Sequence, residues 1–160
     1  LPSKLVKPIS RESLTKQRNL WDAFIDLHGP IQCIYTAKPL YKKEYDLDHF
    51  IPWSFVSHNL LWNLLPIDGS VNSSKSNNLP NLDEFLHPFA TVHQELVKTI
   101  YHQSPNNKLL EDYLTLHDSI SELAALPNDK FELIFRKTMS PMVQIAENMG
   151  FSYWQYPNKL

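Results

Sequence analysis

A short central stretch of the chain contains residue types that together could cut a phosphodiester bond. Asp48 and His49 are adjacent, Asn63 and Asn72 follow, and Lys75 lies close behind Asn72. A histidine with a pKa near neutrality can take a proton from water. A hard divalent cation between a carboxylate and an amide oxygen can neutralise a phosphate and stabilise the leaving oxygen. These residues therefore indicate metal-assisted hydrolysis of a phosphodiester.

The local sequence pattern predicts elements that would bring these side chains together. Residues 45–49 alternate with a period of two, and residues 63–67 form a second apolar run, so each segment predicts a short strand. Residues 68–70 read Asp-Gly-Ser, which is typical of a helix start. Asn72 and Lys75 then fall on one face of the predicted helix. A strand, a loop, a second strand and a helix would thus converge on one site.

Residues 31–80 resemble the HNH, or ββα-metal, endonucleases, especially the nuclease domain of that name in RNA-guided CRISPR effectors and restriction-type enzymes. The last letter of the motif is Asn here, which makes the chain an HNN variant. The resemblance implies that Asp48 and Asn72 bind Mg²⁺ or Mn²⁺ and that His49 is the general base. It also implies that Asn63 holds the loop and the histidine backbone, and that Lys75 faces a phosphate or the transition state.

The chain departs from many members of that family in its cysteines. Those members carry two Cys-x-x-Cys pairs that bind a structural zinc, which needs four ligands. Cys33 is the single cysteine of this chain, and it stands where the first zinc-binding turn would be. We therefore expect no structural zinc and no disulfide, with Cys33 as a small buried side chain. Trp53 and Trp62, between the two strands, are expected to pack on the core.

The fold class expected from these patterns is α+β, with a small ββα-metal core embedded in a mostly helical domain. We divide the chain of 160 residues into an N-terminal basic helix at 1–30, a nuclease core at 31–80 and a helical extension at 81–160. The extension is expected to pack with the core as one domain.

Helical spacing of apolar residues supports this division. The first helix is expected to start after Ser10 or Ser13 and to stop at Gly29-Pro30. A second helix is expected after Asn81, with Pro88 as a kink or a restart, and further helical runs cover 109–123 and 131–145. The remaining histidines of these helices lack zinc-helix spacing and are interpreted as scaffold: His87, His93, His102 and His117.

The net charge of −2 is not typical of a general DNA-binding protein. Residues 1–20 are basic, whereas residues 81–124 are acidic. We expect DNA to approach the N-terminal helix and the following lysines: Lys38, Lys42, Lys43 and Lys75. Partner domains or subunits would then supply most of the affinity and choose the target, and a homodimer would pair two nicking sites. No segment predicts a membrane span, and a cytoplasmic location is expected.

The leading hypothesis is a metal-dependent DNA endonuclease domain that nicks or cuts both strands, in a bacterial restriction or phage-defence context. The resemblance implies products with a 5′ phosphate. Two alternatives stay open. The first is a catalytically inactive module that binds nucleic acid or a protein, and the second is an RNA nuclease.

Overall fold

The computed structural model describes residues 13–156 and has the α+β fold that the sequence predicts. The helices are α1 (Thr15–His28), α2 (Trp53–Val56), α3 (Gly69–Lys75), α4 (Leu82–Gln103), α5 (Ile120–Ala125) and α6 (Asn128–Asn148). The strands are β1 (Ile31–Gln32), β2 (Pro39–Leu40), β3 (Asp46–His49) and β4 (Leu64–Ile67), and two 3-10 segments cover Leu61–Asn63 and Lys108–Thr115. The described residues begin at Ser13, so Ser10 and the first part of the basic segment 1–20 lie outside them.

Strands β3 and β4 and helix α3 form a ββα unit close to the predicted bounds. The two strands are antiparallel, with Asp46 opposite Ile67 and His49 opposite Leu64. Asp68 caps α3, because its side chain accepts a hydrogen bond from the backbone N–H of Ser70 at 3.0 Å. The helix ends at Lys75. The sequence signals thus place the two strands and the helix in the correct order.

A small hairpin that the sequence pattern did not predict precedes this unit. Strands β1 and β2 pair antiparallel, and the turn between them is closed by hydrogen bonds from Cys33 N to Lys38 O at 2.8 Å and from Ala37 N to Cys33 O at 2.9 Å. Cys33 is buried, and its sulfur accepts the backbone N–H of Asp68 at 3.3 Å. The hairpin is therefore tied to the start of α3 through Cys33.

Helix α1 begins and ends near the predicted positions. The hydroxyl of Ser13 accepts the backbone N–H of Thr15 at 3.3 Å, at the start of the helix. The helix stops at Gly29, whose φ of +97° is a left-handed conformation that glycine adopts without steric cost. Leu20, Trp21 and Phe24 on this helix are buried in the core.

The two long helices run through their prolines. Helix α4 continues through Pro88 and does not restart there, and α6 continues through Pro141. The single helix expected at 109–123 is wrong, because the chain there forms a 3-10 segment and then α5. Ser119 starts α5 by accepting the backbone N–H of Glu122 at 3.2 Å, so a new helix begins where the pattern predicted a continuous one.

A continuous apolar core joins the ββα unit to the surrounding helices. Phe50 stacks on Phe89 of α4 with ring centroids 3.9 Å apart and an interplanar angle of 12°. Trp62 is buried, as expected for a packing anchor, whereas Trp53 is partly exposed. Within residues 13–156, no helix is long and apolar enough to cross a bilayer.

Candidate active site

A polar cleft lies where β3 meets α3, and its walls contain Asp48, His49 and Asn72. The cleft has a volume of about 250 Å³, and Trp53 lies on its wall together with the three predicted residues. Two of the larger grooves, of about 640 and 600 Å³, lie elsewhere and contain none of them. The structure therefore brings together the proposed base and both proposed metal ligands in the most polar of these three depressions.

Lys75 lies beneath the cleft and not on its surface. Its side chain is fully buried, and its ammonium donates to the carbonyl oxygens of His49 at 2.9 Å and Phe50 at 3.0 Å. The same nitrogen lies 3.0 Å from Oδ2 of Asp48 and forms an ion pair with it. Because an ammonium has three hydrogens, these three contacts use its capacity. The expectation that Lys75 faces a phosphate, or belongs to a DNA-binding surface, therefore disagrees with its position.

The pKa of Asp48 is raised above its ordinary value, because burial is the larger of two opposing effects. Burial raises the pKa of this carboxyl, because a charged group is poorly solvated in the protein interior, and the Lys75 ammonium beside it lowers the pKa. Asp46, two residues earlier on the strand, adds a smaller raising effect through its negative charge. Lys75 is thus the group that favours the ionised form of Asp48, which is the form that could bind a cation.

Asn63 holds the backbone that follows His49. Its side chain is fully buried, its Oδ1 accepts the backbone N–H of Ile51, and its Nδ2 donates to the carbonyl of Ile51, both at 2.9 Å. The backbone carbonyl of Asn63 also accepts the N–H of Phe50 at 2.8 Å. Asn63 and Lys75 together bind every backbone polar group from the carbonyl of His49 to the carbonyl of Ile51. The turn after the proposed base is therefore fixed from two sides.

The amide of Asn72 is oriented by an aspartate that the sequence analysis did not assign to the site. Nδ2 of Asn72 donates to Oδ2 of Asp46 at 3.1 Å, so Oδ1 of Asn72 is the amide oxygen left to serve as a cation ligand. Gly69 lies against the same carboxylate, and a Cβ there would meet Asp46 atoms at 3.3 Å. The i, i+2 spacing of Asp46 and Asp48 on a strand was the available signal, because such residues share one face.

His49 contacts a second residue that the sequence analysis missed. Its Nε2 lies 2.8 Å from Oδ1 of Asn59, which belongs to the loop between α2 and β4. No periodicity or motif distinguished Asn59 from other polar loop residues, so the sequence carried no signal for this contact.

The donor set of the cleft fits a hard divalent cation. Asp48 and Asn72 offer a carboxylate and an amide oxygen, and the cleft wall has no thiolate. In the part of the chain that the structure describes, no group of three or more His, Cys, Asp or Glu side chains could hold a metal ion. A cation in this cleft would therefore take most of its ligands from water and phosphate, as Mg²⁺ commonly does.

The comparisons with known proteins assign this part of the chain to a nuclease family. The family model of HNH endonucleases matches residues 33–81, which contain β3, β4, α3 and the Asp-His-Asn set. The resemblance found in the sequence is thereby confirmed for this segment, which is similar to HNH endonucleases. No curated protein and no solved structure matches the chain.

Proposed function

We propose that this chain is a metal-dependent HNH endonuclease that hydrolyses DNA phosphodiester bonds. The observation that carries the proposal is the convergence of Asp48, His49 and Asn72 on one polar cleft within the segment that matches the family. We further propose a bacterial restriction or phage-defence context, in which other domains or subunits choose the target.

His49 is proposed as the general base of the reaction. It takes a proton from water while the water oxygen forms a bond to phosphorus, and the P–O3′ bond breaks in line on the opposite side. The 3′ oxygen leaves and takes a proton from solvent, which gives a 5′ phosphate and a 3′ hydroxyl. Lys75 and Asn63 act as positioning residues in this proposal, since both bind the backbone next to His49.

Asp48 and Asn72 are the proposed ligands of Mg²⁺ or Mn²⁺. Such a cation supplies positive charge at the scissile phosphate and at the leaving oxygen when it is bound. Lys75 helps to keep Asp48 ionised, and Asp46 holds the amide of Asn72 so that its oxygen is available.

DNA is proposed to approach from the side of α1. Lys16 and Arg18 on this helix and Lys43 before β3 are exposed. Lys42 pairs with Asp26 at 2.7 Å and Lys38 with Asp68 at 3.5 Å, so part of the expected basic surface is already neutralised. Exposed ion pairs of this kind contribute little to stability, so these lysines can exchange them for contacts with phosphate. Among the described residues, the wall of the cleft contains no lysine or arginine, which is consistent with affinity that comes largely from partner domains.

The metal part of the proposal is tested by thermal unfolding in the presence of Mg²⁺ or Mn²⁺. We expect the cation to raise the Tm of the parent chain through binding linkage, and Asn72→Ala to abolish the rise. The exposed Asn106→Ala variant is the matched control and should respond like the parent. An equal rise in parent and Asn72→Ala would place the cation elsewhere, and no rise in the parent would contradict the metal site.

The choice of DNA over RNA is tested by competition. We expect an excess of unlabelled RNA to leave the cleavage of labelled DNA nearly unchanged. Stronger inhibition by RNA, together with RNA cleavage, would instead favour an RNA nuclease.

A further inference from the structure

The loop between α2 and β4 brings an amide oxygen to the proposed base. Oδ1 of Asn59 lies 2.8 Å from Nε2 of His49, although the two residues are ten positions apart in sequence. An amide oxygen can only accept a hydrogen bond, so Nε2 of His49 must be the donor in this contact. In a neutral imidazole with its hydrogen on Nε2, the lone pair is on Nδ1.

The loop that carries Asn59 is held at several points, so the position of its side chain is defined. The backbone carbonyl of Asn59 accepts a hydrogen bond from Nε2 of Gln17 on α1 at 3.3 Å. Leu60 N donates to Nδ1 of His58 at 3.2 Å, and Leu61 N donates to Oδ2 of Asp112 at 2.8 Å. The loop is therefore attached both to α1 and to the helical extension. Rigid support of this kind is what a positioning residue requires.

The backbone on the other side of His49 is equally fixed. Its carbonyl accepts from Lys75, and the following residues are bound by Asn63. With its main chain held by Lys75 and its ring held by Asn59, the imidazole is constrained in both position and rotation. In other hydrolytic sites, a third side chain orients the general base through a hydrogen bond in the same way.

We propose that Asn59 is a positioning residue that fixes His49 in the tautomer with hydrogen on Nε2, so that Nδ1 is the nitrogen that takes the proton from water. This inference rests on the proposed role of His49 as the base. Asn59 does not touch the reacting atoms in this account and acts only through His49.

The tautomer is measured first, without any need for activity. Two-bond ¹H–¹⁵N correlation spectra of the imidazoles distinguish the two neutral forms, and His49→Ala identifies the signals of His49 among the seven histidines. We expect the form with hydrogen on Nε2 in the parent and in Asn59→Asp, which keeps an acceptor oxygen. We expect a mixture of both forms in Asn59→Ala. The form with hydrogen on Nδ1 in the parent, or an unchanged spectrum in Asn59→Ala, would overturn the proposal.

Single-turnover and steady-state cleavage of DNA then test the consequence. Asn59→Ala should lower kcat by about tenfold to a hundredfold with KM nearly unchanged, because binding contacts remain while the base loses its orientation. Asn59→Asp should restore kcat to within about threefold of the parent. An Asn59→Ala variant with the parent kcat would overturn the positioning role. If the parent itself does not cut, the proposed function fails, and the spectra still decide the tautomer separately.

Discussion

Lys75 contributes to the candidate site from a buried position beneath the cleft. Lysine is rarely fully buried unless it is paired, and here the carboxylate of Asp48 and two backbone carbonyls provide the partners. The ammonium thus links the β3 strand that carries Asp48 and His49 to the last turn of α3. Its contribution is to the geometry and charge state of the neighbouring residues, which differs from direct contact with a phosphate.

Loss of this ammonium should be costly. We expect Lys75→Met to lower the free energy of unfolding by about 3–5 kcal/mol, because the variant leaves a buried carboxylate and two carbonyls without a donor. Urea denaturation measures the change, and the exposed Lys98→Met should stay within about 0.5 kcal/mol of the parent. Adding Asp48→Asn to Lys75→Met should recover part of the loss, since the buried charge is removed with its partner. Additive losses in the double variant would argue against the ion pair.

The turn after His49 depends on a second buried residue in a comparable way. We expect Asn63→Ala to lower the free energy of unfolding by about 2–4 kcal/mol, because the N–H and the carbonyl of Ile51 each lose a buried partner. Asn63→Asp should also destabilise the chain, since a carboxylate cannot donate to the carbonyl. An Asn63→Ala variant as stable as the parent would contradict the role assigned to this amide.

Helix α4 contacts β4, the strand that pairs with β3 and lies opposite His49. His93 on α4 is fully buried, with Nε2 2.8 Å from the carbonyl of Leu64 and Nδ1 2.6 Å from the hydroxyl of Tyr113. The carbonyl requires Nε2 to be the donor, so Nδ1 accepts from the tyrosine. Leu64 is opposite His49 in the β3–β4 ladder. The helical extension is therefore connected to His49, the proposed base, through His93 and β4.

The buried histidine should make stability depend on pH. Burial lowers the pKa of His93 to about 3, from the ordinary value of 6.5. Between these values the unfolded chain binds a proton and the folded chain does not, so acidification favours unfolding. Above pH 6.5, protonation of His93 does not lower the free energy of unfolding. As the pH falls from 6.5 towards 3, the free energy of unfolding decreases by at most about 1.4 kcal/mol per pH unit.

This dependence is measured by urea denaturation between pH 7 and pH 4. We expect His93→Gln to be less stable than the parent at pH 7 and to lose stability less steeply on acidification. His102→Gln, at an exposed position of the same helix, is the control and should follow the parent. Parallel slopes for the parent and His93→Gln would show that His93 already titrates normally in the folded chain.

The ββα unit was predictable from sequence because its determinants are local. Alternation in β3, the apolar run in β4 and the Asp68 cap of α3 are each readable within a few residues. The burial of Lys75 and the contact between Asn59 and His49 depend on how distant segments meet, and no local pattern encodes that. The β1–β2 hairpin has two-residue strands, which are too short to show a period.

In the whole molecule, segments far apart in sequence cover the ββα unit. The backbone of Leu79, just after α3, donates to Ser152 O and accepts from Trp154 N, both at 2.8 Å. Nε1 of Trp154 also donates to the hydroxyl of Ser74 on α3 at 3.0 Å. Together with the Phe50–Phe89 stack, these contacts place the core, the helical extension and the C-terminal segment in one packed body. We therefore propose that the three sequence segments fold as one domain.

A fragment of residues 31–80 should accordingly fail to fold alone. It would expose the apolar faces that α1, α4 and the C-terminal segment cover, and about fifty residues without a metal or disulfide seldom bury enough surface. We expect the fragment to lack near-ultraviolet circular dichroism and cooperative unfolding, both of which a chain of residues 13–156 should show. Cooperative unfolding of the fragment would mean that the extension is a separate domain.

Incubation of the purified chain with supercoiled plasmid and Mg²⁺ or Mn²⁺ tests whether it is a metal-dependent nuclease that uses His49 as the base. We predict nicked or linear DNA with 5′ phosphate ends, no product with a chelator, and a rate lower by about 10² or more for His49→Ala. Folding of the variant is checked by its Tm. Cutting that persists at the parent rate in His49→Ala would contradict the role of His49 as the base, and cutting in the presence of chelator would contradict metal dependence.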